Sequence, residues 1–429
     1  MYSDLADYYL RWYHQRPVAV TSGRREELHE LHRVLLKCIN YFVRNYRTLV
    51  PRYMPLSVKE MEILDLQSRY PFRAGTFRPD YIISSDGRLL LCEITSRFFA
   101  HGIFMSWFGT EFLRRELGPM LTTSAPGSCP ERCATLGNIR GRGPRSGRGR
   151  EATLSGQEPG AEVMNELTGF EGMMDYMLEI TGGCRRMYVF KSADKSGEIR
   201  LYKRFYESKG LEVNILESTE VEVRKPEWDR PGTFIASALN QTDILSYSMD
   251  TLQAMMDHGM YSDFRNIFLV HDKRFMHLWF EDEFTSACLD GAETAFLRSH
   301  AIPTWITPPP DAPGYKDRYI LKPWRLGKSE GVKAGVLCTV QEWEEVFDSG
   351  AVNGMICQPF INQRTVPTVW EGIAFDDYMC GMMLCVDDRL FDGGIFRCSS
   401  LPVTNIGDNR KAATVYTDDP EILKYCDIL

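Results

Sequence analysis

No uninterrupted apolar run in this 429-residue sequence reaches the roughly 18 residues that a membrane-crossing helix needs. The start, Met1-Tyr2-Ser3-Asp4-Leu5-Ala6-Asp7, is acidic and lacks the apolar stretch of an export leader. Tyr2 stands where N-myristoylation requires glycine. An excess of positive charge is also missing. Fifty Lys and Arg against 58 Asp and Glu leave a formal charge of −8, so any contact with nucleic acid would have to come from a local patch. The 12 cysteines follow no disulfide framework. Cys92, Cys357, Cys380 and Cys385 lie in apolar surroundings and read as reduced core thiols. Cys129 and Cys133 have a metal-like spacing, but no second pair is present. The eight histidines form no H-E-x-x-H, and no Ser-His-Asp or Cys-His order is readable. These absences lead to the expectation of a cytoplasmic protein without membrane spans. What is present, 44% hydrophobic and 25% charged residues, is the balance of a folded chain, and the length suits two or three domains of roughly 100–200 residues.

Residues 1–117 read as helices followed by a hairpin. Over 26–46, Leu28, Leu31, Leu35, Leu36, Ile39, Phe42 and Val43 recur near a helical period. Pro51 and Pro55 punctuate the next stretch, and Ser57 with Glu60 three residues on predicts a capped second helix. Residues 77–83 and 89–94 read as strands around the turn Ser85-Asp86-Gly87-Arg88. Residues 118–163, rich in Gly, Ser and Pro with six arginines from Arg132 to Arg150, read as a disordered insertion. A solvated loop is one reading of it and RNA contact the other. Residues 164–300 read as a small α/β unit. Its strand at 187–190, helix at 196–209 and strand at 211–216 suit a parallel crossover, and 233–238 and 266–270 supply further strands. No G-x-G-x-x-G stands at its first turn. Residues 301–429 are strand-rich, with apolar runs at 319–321, 332–337, 355–357, 378–386 and 394–396 and a helix at 340–347. The fold class that results is α/β with α+β lobes.

Four clusters carry chemistry. In Tyr319-Ile320-Leu321-Lys322-Pro323-Trp324-Arg325-Leu326-Gly327-Lys328-Ser329-Glu330-Gly331 a strand delivers a lysine to a glycine-containing loop with further cations. That arrangement suits a phosphate, and an ordinary hairpin with solvated charges is the alternative. The spacing is not that of a Walker A loop. Asp80 and Glu93 lie on neighbouring strands of one hairpin. Paired carboxylates suit Mg²⁺ together with substrate phosphates, and an ion pair with Arg78 or Arg97 is the alternative. His271-Asp272-Lys273-Arg274 stands just after an apolar run, where sheets place ligand contacts. Asp272 as a helix cap is the other reading. Arg397, on a strand ahead of the loop Asn405 to Ala413, suits a bidentate clamp on a carboxylate or phosphate, and a surface strand with a β-turn loop is the alternative.

Taken in this order, the pieces resemble the circularly permuted ATP-grasp ligases, the group of eukaryotic glutathione synthetase and glutathionylspermidine synthase. The matching residues are Arg78-Pro79-Asp80-Tyr81, Glu93-Ile94-Thr95, Lys273, Lys322-Pro323-Trp324-Arg325 through Gly331, Met355 through Ile361, and Arg397 with Gly407 through Ala413. The resemblance implies an ATP-grasp fold with a Rossmann-like subdomain at 164–300 and nucleotide-binding lobes at 301–429. It implies ATP-dependent carboxylate–amine ligation through an acylphosphate, with an amino acid or short peptide as substrate. The cofactors would be ATP and Mg²⁺. Lys273, Lys322, Lys328, Gly327, Gly331, Gln358 and Phe360 would hold the nucleotide. Glu93, Thr95 and Asp80 would hold the metal, Arg78 and Arg325 would act on the reacting oxygens, and Arg397 would clamp the substrate. Two positions depart from the pattern: Thr95 replaces an asparagine, and Leu326 stands where a third acidic metal ligand is common, with Glu330 as a substitute. A nucleotide-binding partner module without turnover is therefore the alternative. A homodimer is compatible with this reading; membrane association and nucleic-acid binding are not expected.

Overall fold

The computed structural model describes residues 8–100, 102–116, 170–193, 197–327, 329–404, 408 and 410–428. The expected insertion at 118–163, with Cys129 and Cys133, lies outside them, as do Lys328 and residues 405–407 and 409.

A short strand, β1 (Val18–Val20), leads into a long helix, Ser22–Arg44. Thr21 caps it by accepting the Arg24 N–H, and the apolar stripe from Leu28 to Val43 is buried along one side. Pro51, read as punctuation after the first helix, lies inside a separate helix, Tyr46–Tyr53. Ser57 and Glu60 form the predicted reciprocal cap on Val58–Gln67.

The predicted hairpin is present as β2 (Thr76–Ile83) and β3 (Leu89–Thr95), paired antiparallel. Every residue of β2 is buried, because the strand is covered on both faces. Phe77, Tyr81 and Ile83 join the main core, where the His32 ring of the long helix stacks on Phe77 at 5.8 Å. Asp80 and Ile82 face the opposite side. The ladder slips between Asp80 and Tyr81, so that Asp80 sits opposite Glu93 but Tyr81 opposite Leu91. Cys92 is the extra residue of a β-bulge.

The middle of the chain forms β4 (Arg186–Lys191), β5 (Glu212–Glu217) and β6 (Thr233–Ala238). They make a parallel sheet in the order β5-β4-β6, with the helix Glu198–Ser208 crossing between the first two. The run 266–270, expected as a strand, is a π-helical turn, Asn266–Val270. All five of its residues are buried, and a short apolar run that is buried all round has no period to tell strand from helix.

A small antiparallel sheet comes next, built from β7 (Tyr319–Pro323), β8 (Lys333–Ala334) and β9 (Met355–Pro359) in the order β8-β7-β9. The helix Val340–Asp348 packs on it through Trp343 and Val346. The expected strand at 332–337 shrinks to two residues. Gly335 turns the chain into a 3-10 turn, Gly335–Leu337, tight against Lys316, where an added Cβ would lie 1.8 Å from the Lys316 carbonyl oxygen.

The C-terminal part adds β10 (Thr365–Trp370), β11 (Ile373–Val386), β12 (Arg389–Gly393), β13 (Phe396–Ser399), β14 (Arg410–Ala412), β15 (Thr414–Tyr416) and β16 (Asp427–Ile428). β11 pairs antiparallel with β2, so the largest sheet, β14-β13-β11-β2-β3, joins strands separated by almost three hundred residues. β15 and β16 pair with β1 in a further sheet. The molecule is thus mixed α/β, with separate parallel and antiparallel sheets and their helices. Among the described residues, no helix is long and apolar enough to cross a membrane.

Candidate functional site: a cleft between the large and the small sheet

One face of the large sheet and one face of the small sheet line a common cleft. From the large sheet come Asp80, Ile82, Cys92, Glu93, Cys380 and Arg397. The small sheet contributes Ile320, Lys322, Gln358 and Pro359, with Phe360 and Ile361 just beyond. Strand alternation explains the choice. Tyr319, Leu321 and Cys357 face the small sheet's own core, which turns Ile320, Lys322 and Gln358 the other way. Cys92 and Glu93 are neighbours in sequence and yet both reach the cleft, because the bulge re-aims one of them.

The floor is densely charged. Arg78 grips Asp80 with two hydrogen bonds, Nε to Oδ1 at 2.7 Å and Nη2 to Oδ2 at 2.9 Å, and both side chains are buried. An Arg397 Nη1 stands 3.9 Å from the same carboxylate. Burial and the nearby Arg78 charge lower the Arg397 guanidinium's proton affinity, which marks a site short of negative charge. Lys273, almost fully buried, places Nζ 3.1 Å from Glu93 Oε1 and donates to the Leu326 carbonyl at 2.5 Å. Lys322 Nζ donates to the Cys92 carbonyl at 3.1 Å. Burial by itself would raise the Glu93 carboxyl, but the Lys273 and Lys322 charges and His271 outweigh it and hold it at about 2. His271 is held neutral, down to about 3, by burial and by Lys273 and Arg97.

At the other end, Gln358 is fully buried, and its Nε2 donates to Thr304 Oγ1 at 2.8 Å. Its Oε1 has no partner. A buried acceptor without a donor is costly, and this residue lines the cleft.

The remaining expected residues have varied surroundings. Asp80 is taken up by Arg78 through both oxygens and Glu93 faces the buried Lys273, so each expected metal carboxylate already has a cationic partner. Thr95 lies opposite Arg78 in the ladder but does not line the cleft. Arg325, expected at the reacting group, directs its guanidinium to two buried carboxylates, with Nε 3.1 Å from Asp272 and Nη1 2.6 Å from Glu60. Asp272 also takes both ends of Arg274 and caps the 3-10 turn Lys273–Phe280, so the capping reading of this cluster holds. Gly331 has a left-handed backbone, φ 68°, and its bare Cα lets Pro323 approach. Among the described residues, no group of three or more His, Cys, Asp or Glu side chains is placed to hold a metal. An Mg²⁺ here would depend on Glu93 plus oxygens of a bound phosphate, a set that this small, oxygen-seeking ion accepts.

Two cleft residues and two buried titratable groups outside the cleft were not legible in the sequence. Cys92 and Cys380 are cleft residues as well as sheet residues. Glu198 accepts the Gly102 and Phe104 N–H groups at 3.2 and 3.1 Å, and burial pushes its carboxyl up to about 7 although Arg78 and Arg397 act to lower it. The Lys411 ammonium is brought down to about 8 by burial and by Arg397. Nothing local in the chain signals these last two, because their neighbours come from distant strands.

The family model described as the AnkG N-terminal domain matches residues 30–128. The matched segment is well under half of the chain. No curated protein matches the sequence. The match overturns the resemblance to ATP-grasp ligases and with it the expectation of a carbon–nitrogen ligase. The segment that carries Arg78, Asp80, Glu93 and Thr95 is matched by a domain of another description, so amide-bond formation through an acylphosphate is withdrawn.

Proposed function

We propose that this chain is a non-catalytic binding module whose cleft takes up a nucleoside polyphosphate, with ATP together with Mg²⁺ as the expected form. The observation that carries this reading is the convergence of Lys322 and Arg397 on one cleft that also holds the unpartnered Oε1 of Gln358. Cations fixed by a sheet suit phosphate oxygens. A buried amide acceptor between apolar residues such as Ile302, Ile320 and Phe360 suits the amino group of a planar base. Mg²⁺ would be held by Glu93 and would supply charge neutralisation at the phosphates. The family match carries no catalytic description, and Arg325 is taken up by Asp272 and Glu60. Both support binding as the end point, with the occupied module presented to a partner.

Displacement of a fluorescent ATP analogue from the full-length chain tests this reading. Saturable displacement by ATP, strengthened by Mg²⁺ and without accumulation of ADP, is the expected result. Absence of saturable binding would refute it, and so would nucleotide turnover.

A further inference from the structure

Cys38 and Cys288 are 250 positions apart in the chain, and the fold brings their sulfur atoms to 4.0 Å. Cys38 is fully buried on the long helix Ser22–Arg44. Cys288 is the last residue of the helix Asp282–Cys288 and is half-buried. Helical spacing sets up the meeting. Cys38, Tyr41 and Phe42 share one face of the long helix, and Phe284 and Cys288 share one face of the other. The Phe284 ring meets Tyr41 edge-on at 5.5 Å and Phe42 at 6.3 Å. That aromatic contact seats one turn of the helix pair, and the two thiols meet one turn further on. Cys288 Sγ also lies 3.3 Å from the Phe284 carbonyl oxygen. We propose that Cys38 and Cys288 form a redox modification site, a dithiol that peroxide converts to a reversible disulfide clasp between the two helices. Neither residue lines the cleft, so the clasp is independent of the nucleotide reading.

The half-buried sulfur meets the oxidant first. The Cys288 thiolate attacks one oxygen of hydrogen peroxide, an S–O bond forms, and the O–O bond breaks. The departing hydroxide takes up the proton that the Cys288 thiol released, which leaves the sulfenic acid and one water. The Cys38 sulfur then attacks the Cys288 sulfur, an S–S bond forms, and the S–O bond breaks. The second hydroxide leaves with the Cys38 proton as water. Two thiols and one peroxide thus give a disulfide and two waters, and the sulfurs lose the two electrons that the peroxide gains. The sulfurs have about 2 Å to close, within the reach of rotation about their Cα–Cβ bonds. The Cys288 thiol lies below its ordinary value, chiefly through the Cys38 thiol and then Lys37, which outweigh burial and Glu293. Cys38 is pushed up by the same contact and by burial, so it keeps its proton while Cys288 reacts.

The test uses the intact wild-type chain, folded and, in parallel, unfolded in urea. Each sample is pulsed with hydrogen peroxide at neutral pH and its remaining thiols are capped with N-ethylmaleimide. The non-reduced digest is then read by mass. The expected product is a linked pair of peptides carrying Cys38 and Cys288, lighter by two hydrogens than the reduced pair and released by dithiothreitol. It should form about tenfold faster in the folded chain, where the sulfurs are held together. The oxidised chain should also show a higher urea midpoint, because the bond closes a loop across 250 positions. Cys288→Ser should lose both the link and the rise. The proposal is overturned by absence of the linked pair from the folded chain, or by equal rates in folded and unfolded chains. A midpoint that does not rise on oxidation, or a rise that persists in Cys288→Ser, also overturns it.

Discussion

Replacing Glu93 by Gln removes the carboxylate that faces the buried Lys273 ammonium. Lys273 is 3% exposed, and its named polar partners are the Glu93 carboxylate at 3.1 Å and the Leu326 carbonyl at 2.5 Å. An amide at position 93 keeps the shape but leaves a buried cation beside Lys322. Breaking one partner of such a pair costs about 3–5 kcal/mol. The pair's pH dependence gives a second handle. The carboxyl falls from 4.5 to about 2 on folding, which corresponds to about 3 kcal/mol at 1.36 kcal/mol for each tenfold step. Because the folded value is depressed, this stabilisation is complete above pH 4.5 and is lost as pH falls toward 2. The assay is urea unfolding of wild type, Glu93→Gln, Lys273→Met and the double variant at neutral pH. The double variant should be less destabilised than the sum of the singles by about 1–3 kcal/mol. Strict additivity, or a Glu93→Gln midpoint equal to that of wild type, would refute the pairing.

Other outcomes are expected from separate parts of the fold. Glu198 carries a carboxyl raised from 4.5 to about 7, so its contribution is favourable below pH 4.5 and is lost as pH rises through 7. Urea titrations should show wild type losing up to about 3 kcal/mol over that range relative to Glu198→Gln. Gly75→Ala should unfold or lose more than about 3 kcal/mol, since φ is 59° and the new Cβ would lie 1.9 Å from the Tyr261 carbonyl oxygen; recovery of soluble wild-type-like protein would contradict the packing there. Ser57→Ala should cost only about 1 kcal/mol, read as a small shift in urea midpoint, because it removes one capping hydrogen bond from an otherwise intact helix.

The parts of the fold that were legible in the chain are local. Ser57 and Glu60 announce a cap because the two bonds span three residues, and Asp86-Gly87 announces the β2–β3 hairpin because the turn joins strands that pair with each other. The pairing of β2 with β11 has no local signal, since it links Tyr81 to Gly381 across most of the sequence. There Gly381 is required because a Cβ would lie 2.3 Å from the Tyr81 ring. The cleft was legible only in part. Alternation places Asp80, Lys322 and Arg397 on strands, and the structure brings them to one cavity. The bulge that admits Cys92, and the ion pairs that withdraw Arg325, depend on register and tertiary packing. Thiols in an apolar run therefore read as core residues when one of them is in fact half-exposed to a cleft. The short motif matches were too weak to carry an enzymatic function, and the AnkG N-terminal domain match over 30–128 corrects it.

The proposed binding of nucleotide phosphates in the cleft depends on Lys322. The most direct test is calorimetric titration of Mg²⁺–ATP into the full-length chain and into Lys322→Ala. Loss of a charge-assisted hydrogen bond of about 1.5–3 kcal/mol predicts saturable binding to wild type and an affinity about 10–100-fold weaker in the variant. Equal affinity in the two chains, or no saturable heat in either, would contradict the account.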